Sequence, residues 1–100
     1  MKATKKPVEI DYAPYTGDYK EIAYWVMMMG DRFDHWFEWK ENLLFDDTLM
    51  VKTLEGTSYE VTTDDVIIRG IKAEYYPCKK DIFYETYDLI PDSNSISSNP

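Results

Sequence analysis

Leu49 to Tyr87 reads LMVKTLEGTSYEVTTDDVIIRGIKAEYYPCKKDIFYETY. Along it, β-branched and aromatic residues alternate with short turn signals, the pattern of closely spaced antiparallel strands. Its first hairpin has two candidate registers. A two-residue loop, Glu55-Gly56, would pair Leu54 with Thr57 and set Lys52 opposite Tyr59. A three-residue loop, Leu54-Glu55-Gly56, pairs Thr53 with Thr57, Val51 with Tyr59 and Leu49 with Val61. The second register gathers Leu49, Val51, Tyr59 and Val61 on one face and leaves Lys52, Ser58, Glu60 and Thr62 on the other, a separation that a one-residue slip destroys. Gly56 also suits the left-handed position that such a loop requires. The second register is therefore expected.

Past the hairpin, Thr63-Asp64-Asp65 turns into Val66-Ile67-Ile68, a continuous apolar run that reads as a central strand. Gly70 breaks it, and Ile71-Lys72-Ala73 is a tight connection into Glu74-Tyr75-Tyr76. Pro77 cannot donate to a ladder, so that strand should stop there or lie at an edge. Asp81 is placed to cap one helical turn, Ile82 to Glu85, with Phe83 turned inward. Tyr87 to Ile90 then reads as a last strand.

Upstream, Pro7 to Tyr12 alternates Val8, Ile10 and Tyr12 against Glu9 and Asp11, a half-buried strand ended by Pro14. Asp18 with Glu21 makes a capping arrangement for a helix starting near Tyr19 and stopped by Gly30. Tyr19, Ile22, Val26 and Met29 share one face of it. Tyr24, Trp25, Met27 and Met28 are more apolar surface than one buried stripe needs. Either both flanks are covered by a sheet groove, or part of the helix is a partner or dimer contact, a role that Met and Trp suit. From Asp31 to Asp47 the alternation of His35, Phe37 and Trp39 with Trp36, Glu38 and Lys40 favours strands, turning at Glu41-Asn42 and Asp46-Asp47. A helix from Asp31 to Leu44 is the other reading. Trp36, Phe37 and Trp39 crowd four positions, so at least one is expected at the surface.

The sequence thus predicts an α+β fold in a single small domain, residues 1–90. One N-terminal helix packs on a curved antiparallel sheet, partly open and barrel-like. Residues 91–100, PDSNSISSNP, read as a disordered tail. The expected core is Leu49, Val51, Tyr59, Val61, Ile67, Phe83, Ile22 and Val26. One hundred residues suit one domain, and an aromatic content of 16% is about what a small dense core needs. A single cysteine forms no internal disulfide and suits a reducing cytoplasm. No apolar run approaches the ~20 residues that span a bilayer, and MKATKKP has no apolar stretch behind it, so neither membrane nor signal peptide is expected.

The net charge is −8, unevenly spread. Residues 9–65 carry −10, while residues 69–80 carry +3 through Arg69, Lys72, Lys79 and Lys80 against Glu74. That balance argues against direct binding to nucleic acid, whose phosphates need clustered Lys and Arg, and fits a partner with a basic surface.

Through Lys5-Lys6-Pro7-Val8, Thr16-Gly17, Thr53-Leu54-Glu55-Gly56 and the Tyr76 to Phe83 ending, the chain resembles a family of small proteins of tailed bacteriophages and prophages. Such proteins open with a KKPV strand and a TG-x-x-x-E-I helix, and close with a TLEG hairpin, a GD-x-I-I-x-G strand and a YPCKPDIF-x-x-TYE ending. Here these appear as Lys5-Lys6-Pro7-Val8, Thr16-Gly17 with Glu21-Ile22, Thr53-Leu54-Glu55-Gly56, Asp65 to Gly70, and Tyr76 to Phe83 with Thr86-Tyr87. Asp64, Ala73 and Lys80 depart from the pattern, which has Gly, Gly and Pro there. Asp64 and Ala73 tolerate positive φ less well than Gly. The resemblance implies a phage origin and a place in a bacterial host's cytoplasm. It implies no activity, since the family is mostly of unknown function.

Chemistry-bearing residues are few. His35, behind Asp31 and Asp34, lacks the partners of a metal set, so no metal is expected. Cys78 lies beside Lys79 and Lys80, which could lower its pKa, but a buried small hydrophobe is the favoured reading. Asp46-Asp47 and Asp64-Asp65 resemble acid/base pairs and sit at turns where Asp is common. With no phosphate-cradling glycine loop either, the expectation is a protein without enzymatic activity or cofactor.

Three functions stay open. The first is an inhibitor that binds a host macromolecule, an anti-defence or takeover protein or an acidic nucleic-acid mimic. It would work through Trp25, Met28, Trp36 and Trp39 with Asp31, Asp34, Asp46 and Asp47. The second is a small-ligand binder that sequesters a nucleotide-derived signal at a basic strip of Arg69, Lys72, Tyr76, Lys79 and Lys80. The third is a virion or assembly accessory. A homo-oligomer is compatible with each.

Overall fold

The computed structural model describes residues 1–4, 8–44 and 46–90. The tail reading for 91–100 and the start of the first strand at Pro7 lie outside them. The elements are β1 (Asp11–Pro14), α1 (Tyr19–Met28), α2 (Phe33–Trp36), β2 (Phe37–Lys40), β3 (Thr48–Lys52), β4 (Ser58–Val61), β5 (Asp65–Arg69), β6 (Tyr75–Lys79) and α3 (Lys80–Thr86). The α+β class is as expected. The strands, however, divide into two open antiparallel sheets of three strands each: sheet A, β1-β5-β6, and sheet B, β2-β3-β4.

The division has a local cause. β5 has β1 on one side and β6 on the other, so no edge is left for β4. Between β4 and β5, the Asp65 carboxylate accepts the Thr62 N–H at 2.8 Å and draws in the Lys79 ammonium at 3.2 Å. The Asp65 N–H donates back to the Thr62 carbonyl at 2.9 Å. These bonds end β4 and send the chain into the other sheet.

The hairpin register is the three-residue one, with Leu49 opposite Val61 and Val51 opposite Tyr59. Gly56 takes φ +85° in its loop. β5 is buried on both faces, which explains its unbroken apolar run. Ile67 joins Ile22, Val26, Phe37, Leu49, Val51, Val61 and Tyr75 in the core between the sheets. Val66 and Ile68 face the other way, onto Phe83 of α3. Ala73 keeps the left-handed turn that Gly would favour, at φ +58°, whereas Asp64 has no positive φ.

Five expectations need correction. Tyr59 is in register for the core, yet 45% exposed, because it sits on an edge strand with nothing beyond it among the described residues. The first strand is Asp11–Pro14, shifted along the chain because it pairs where β5 offers partners, Asp11 with Arg69 through Pro14 with Val66. Of the strand expected from His35 onward, Phe37–Lys40 form β2 as expected, but His35 and Trp36 belong to a helical turn, α2. None of Trp36, Phe37 and Trp39 is exposed: Trp36 lies against Tyr75, Phe37 stacks on Phe33, and Trp39 stacks on Tyr19 at 4.4 Å between centroids. α3 starts before Asp81, with Lys79 as its cap position, and Tyr87 to Ile90 form no strand.

The edges of sheet A share a device. The Gly70 N–H bonds the Glu74 carbonyl and the Lys80 N–H bonds the Asp64 carbonyl, so the alternation between them puts Ile67–Pro77 at a non-hydrogen-bonded pair. Pro77 therefore turns its nitrogen outward, at a position where a ladder N–H would otherwise be open. The bond from the Tyr15 N–H to the Asp65 carbonyl gives the same phase on the other side, and there Pro14 faces outward. Both edges of sheet A thus carry a proline where a further strand would need a donor.

Candidate functional site

α1 ends in a Schellman turn: the Gly30 N–H bonds the Met27 carbonyl and the Asp31 N–H bonds the Val26 carbonyl, with Gly30 at φ +86°. The turn delivers Asp31 to the end of sheet A. Its carboxylate accepts from the Tyr75 hydroxyl at 2.6 Å and from Arg69 Nε at 2.9 Å. Trp25, Trp36 and Phe37 surround the Tyr75 ring at centroid distances of 5.5–5.7 Å. The Tyr75 hydrogen bond, with Arg69 beside it, holds the Asp31 carboxyl below its ordinary value. Burial and the same bond push the Tyr75 hydroxyl well above its own. The cluster locks the end of α1 to sheet A, with Asp31 Oδ2 shared by the Tyr75 hydroxyl and Arg69 Nε.

The other candidates scatter. Asp34 bonds its neighbour Arg32 at 3.1 Å. Asp47 accepts the Asn42 N–H, and the Asp46 carbonyl accepts from the Asn42 side chain, so this pair shapes the loop before β3. Among the described residues no hydrogen bond or ion pair joins these acids to Asp31. The basic strip is divided as well. Arg69 and Lys72 lie at one end of the β5–β6 hairpin and Lys79 and Lys80 at the other, about 13 Å apart at ~3.3 Å per residue. Lys79 is held by Asp65. Tyr76 is half-buried, its hydroxyl pushed up to about 12 by burial and by Tyr87.

Cys78 is half-buried, and burial together with Asp65 and Asp81 raises its thiol, the reverse of the activation that Lys79 and Lys80 suggested. His35 is exposed, its ring edge-on to Trp36. Among the described residues no group of three or more His, Cys, Asp or Glu could hold a metal ion, and no helix is long and apolar enough to cross a membrane.

Among the described residues, the outward face of α1 holds a set of exposed apolar side chains on one helix. Asp18 caps the helix, accepting the Lys20 N–H at 3.0 Å. Glu21 turns aside to the Thr16 hydroxyl instead of closing a capping box. Ile22 and Val26 point inward. On the far side Tyr24, Met27 and Met28, spaced i, i+3 and i+4, are 68%, 67% and 65% exposed. Of the site residues expected on this helix, Met28 is at the surface, while Trp25 packs half-buried against Tyr75. Tyr24 and Met27 belong to the open patch by helical spacing, a signal legible in the sequence once the inward face is fixed. Comparison with known proteins assigns this surface no role: no family model matches the chain, and neither a curated protein nor a solved structure matches it.

Proposed function

We propose that this chain is a binding protein without enzymatic activity, of phage origin, that works in the cytoplasm of a bacterial host by blocking a host macromolecule. The contact is the outward face of α1, and the partner is a protein with a basic surface. One observation carries the reading: beyond Lys20 and Glu21, the side of the helix that water should claim presents Tyr24, Met27 and Met28. Met and Tyr are side chains that adapt to, and anchor, protein interfaces. The net charge of −8 would steer a basic partner toward the chain, while the patch would supply the desolvated contact. The same excess of acid disfavours a direct grip on nucleic acid. The small-ligand alternative loses ground because Arg69 and Lys79 are each committed to an internal carboxylate.

The test uses full-length chain bearing Tyr24→Ala, Met27→Ala and Met28→Ala together, three exposed positions whose truncation should leave folding intact. Wild type should retain a host protein from bacterial lysate, and measured binding should weaken by about 30-fold or more in the variant. Salt should slow the association of both. Undiminished binding by the variant would move the contact elsewhere. Co-purification of a nucleotide in place of a protein would overturn the reading.

A further inference from the structure

We propose that the chain forms a two-fold dimer by pairing β4 with β4 of a second copy. Sheet A ends in prolines, but β4 does not. The Thr53 N–H bonds the Thr57 carbonyl, so the β3–β4 alternation puts Lys52–Ser58 and Met50–Glu60 at non-hydrogen-bonded pairs. Ser58 and Glu60 therefore turn their N–H and carbonyl groups outward, and among the described residues nothing takes them. Thr62, the next outward position, is taken by Asp65, and the first outward N–H of β2, Phe37, is taken by Phe33. The open edge of β4 is thus a two-residue template.

That template is complementary to itself in one register. In an antiparallel pair centred on Tyr59, Ser58 of each copy faces Glu60 of the other, and all four outward groups of each copy find partners. A slip that sets Ser58 opposite Ser58 strands Glu60. A slip the other way opposes Glu60 to Glu60, a like-charge contact, and asks for the committed Thr62 N–H. In the centred register Lys52 lies across the small Ser58 from Glu60 of the second copy, with Cα atoms about 10 Å apart, within reach of two long side chains. Neither Lys52 nor Glu60 has an ion-pair partner among the described residues.

The other face of the sheet supplies the apolar part. Tyr59 would meet Tyr59 of the second copy as a non-hydrogen-bonded pair, the closer of the two kinds. Tyr59 also lines a groove of about 780 Å³ with Leu54, Ile71, Tyr76 and Pro77. Leu54 and Ile71 are 56% and 69% exposed there. Pairing places the two Tyr59 rings beside that surface and joins the two grooves across the two-fold axis. This contact is separate from the α1 face, so either surface can fail without the other.

Sedimentation of the full chain over rising concentration should give a species of twice the 11.8 kDa of one chain. Glu60→Pro removes an outward donor without touching the β3–β4 ladder and should leave a folded monomer. Glu60→Lys should weaken the dimer about fivefold, and Lys52→Glu with Glu60→Lys should restore it. In a Cys78→Ser background, Tyr59→Cys should oxidise to a linked dimer, since opposed Cα atoms near 4.5 Å suit a disulfide, and Glu60→Cys should not. A chain that stays monomeric at every concentration, a dimer indifferent to the charge reversal and its swap, or equal cross-linking at 59 and 60 would each overturn the proposal. So would a dimer that survives Glu60→Pro but is lost with the α1 face.

Discussion

Sheet A and sheet B have the same number of strands and the same antiparallel ladders, yet they differ in nearly everything else. Sheet A is covered on both faces, by the shared core and by α3, and its two outer strands carry Pro14 and Pro77 turned outward. Sheet B is covered on one face. Its other side shows Glu38, Met50 and Glu60 in one row and Lys40 with Thr48 in the next, a solvated surface of mixed charge. Burial on two faces and an outward proline on each outer strand close sheet A to a partner. Sheet B keeps an open edge, and α1, packed into the core by Ile22 and Val26, keeps an open back. Sheet A is a sealed scaffold beside the open β4 edge and the open back of α1.

The strongest way to break that contrast is to cut into the middle strand of each sheet. Ile68→Ala, on the α3 side of the central strand, should cost about 2–5 kcal/mol in denaturant unfolding, because transfer and cavity terms add at a closed site. Met50→Ala, in the middle of sheet B but on its watered face, should cost less than about 1 kcal/mol. Equal losses would mean that sheet B's outer face is packed in solution, and the scaffold picture would not stand.

A subtler cut goes through the Asp31 lock. Tyr75→Phe keeps the ring among Trp25, Trp36 and Phe37 and deletes one hydrogen bond to a carboxylate, so stability at neutral pH should fall by about 1.5–3 kcal/mol. The pH dependence has a definite sign. Asp31 is held below its ordinary value of 3.8, so its contribution is full above that value and is lost as pH falls through the lower, folded one. Tyr75 is held above its ordinary value of 10.0, so its share is present below pH 10 and is lost as pH rises. Without the hydroxyl, Asp31 is less depressed, and the acid limb of the stability curve should become shallower. An unchanged acid limb would assign the depression to Arg69 alone.

The contrast between the sheets also explains what the sequence could and could not tell. Strand content, the Val51–Tyr59 register, the central place of Val66 to Ile68 and the Asp18 cap were legible, because each is set by alternation or by a side chain bonding its own backbone neighbourhood. The split into two sheets was not. It rests on β5 taking β1 and β6 as neighbours, with Asp65 joined to Lys79, a choice between distant partners that no local pattern ranks. The site was harder. Trp36 and Trp39 looked spare by count, but Tyr75 and Tyr19 absorb them. Asp31 and Arg69 belonged to rival readings and turn out to hold each other, 38 residues apart in the chain. Long-range pairing of that kind is invisible to spacing.

The smallest expected effect is the one that tests the edge logic most directly. Pro77 sits mid-strand in β6 opposite Ile67, where most strands would not accept it. If its role is to blank the outer edge, Pro77→Ala should leave every β5–β6 ladder bond intact, and unfolding free energy should shift by no more than about 1 kcal/mol, mainly through a freer unfolded chain. What should change is association. Tyr75, the new alanine and Lys79 would then present a regular row of outward N–H groups, and light scattering at matched concentration should show the variant associating more than wild type. Combining it with Glu60→Pro separates the two edges: the double variant should keep the new association and lose the β4 pairing. A loss of several kcal/mol instead would say that the ring of Pro77 is needed for packing in the groove beside Tyr59, and that the edge is sealed by shape rather than by a missing donor.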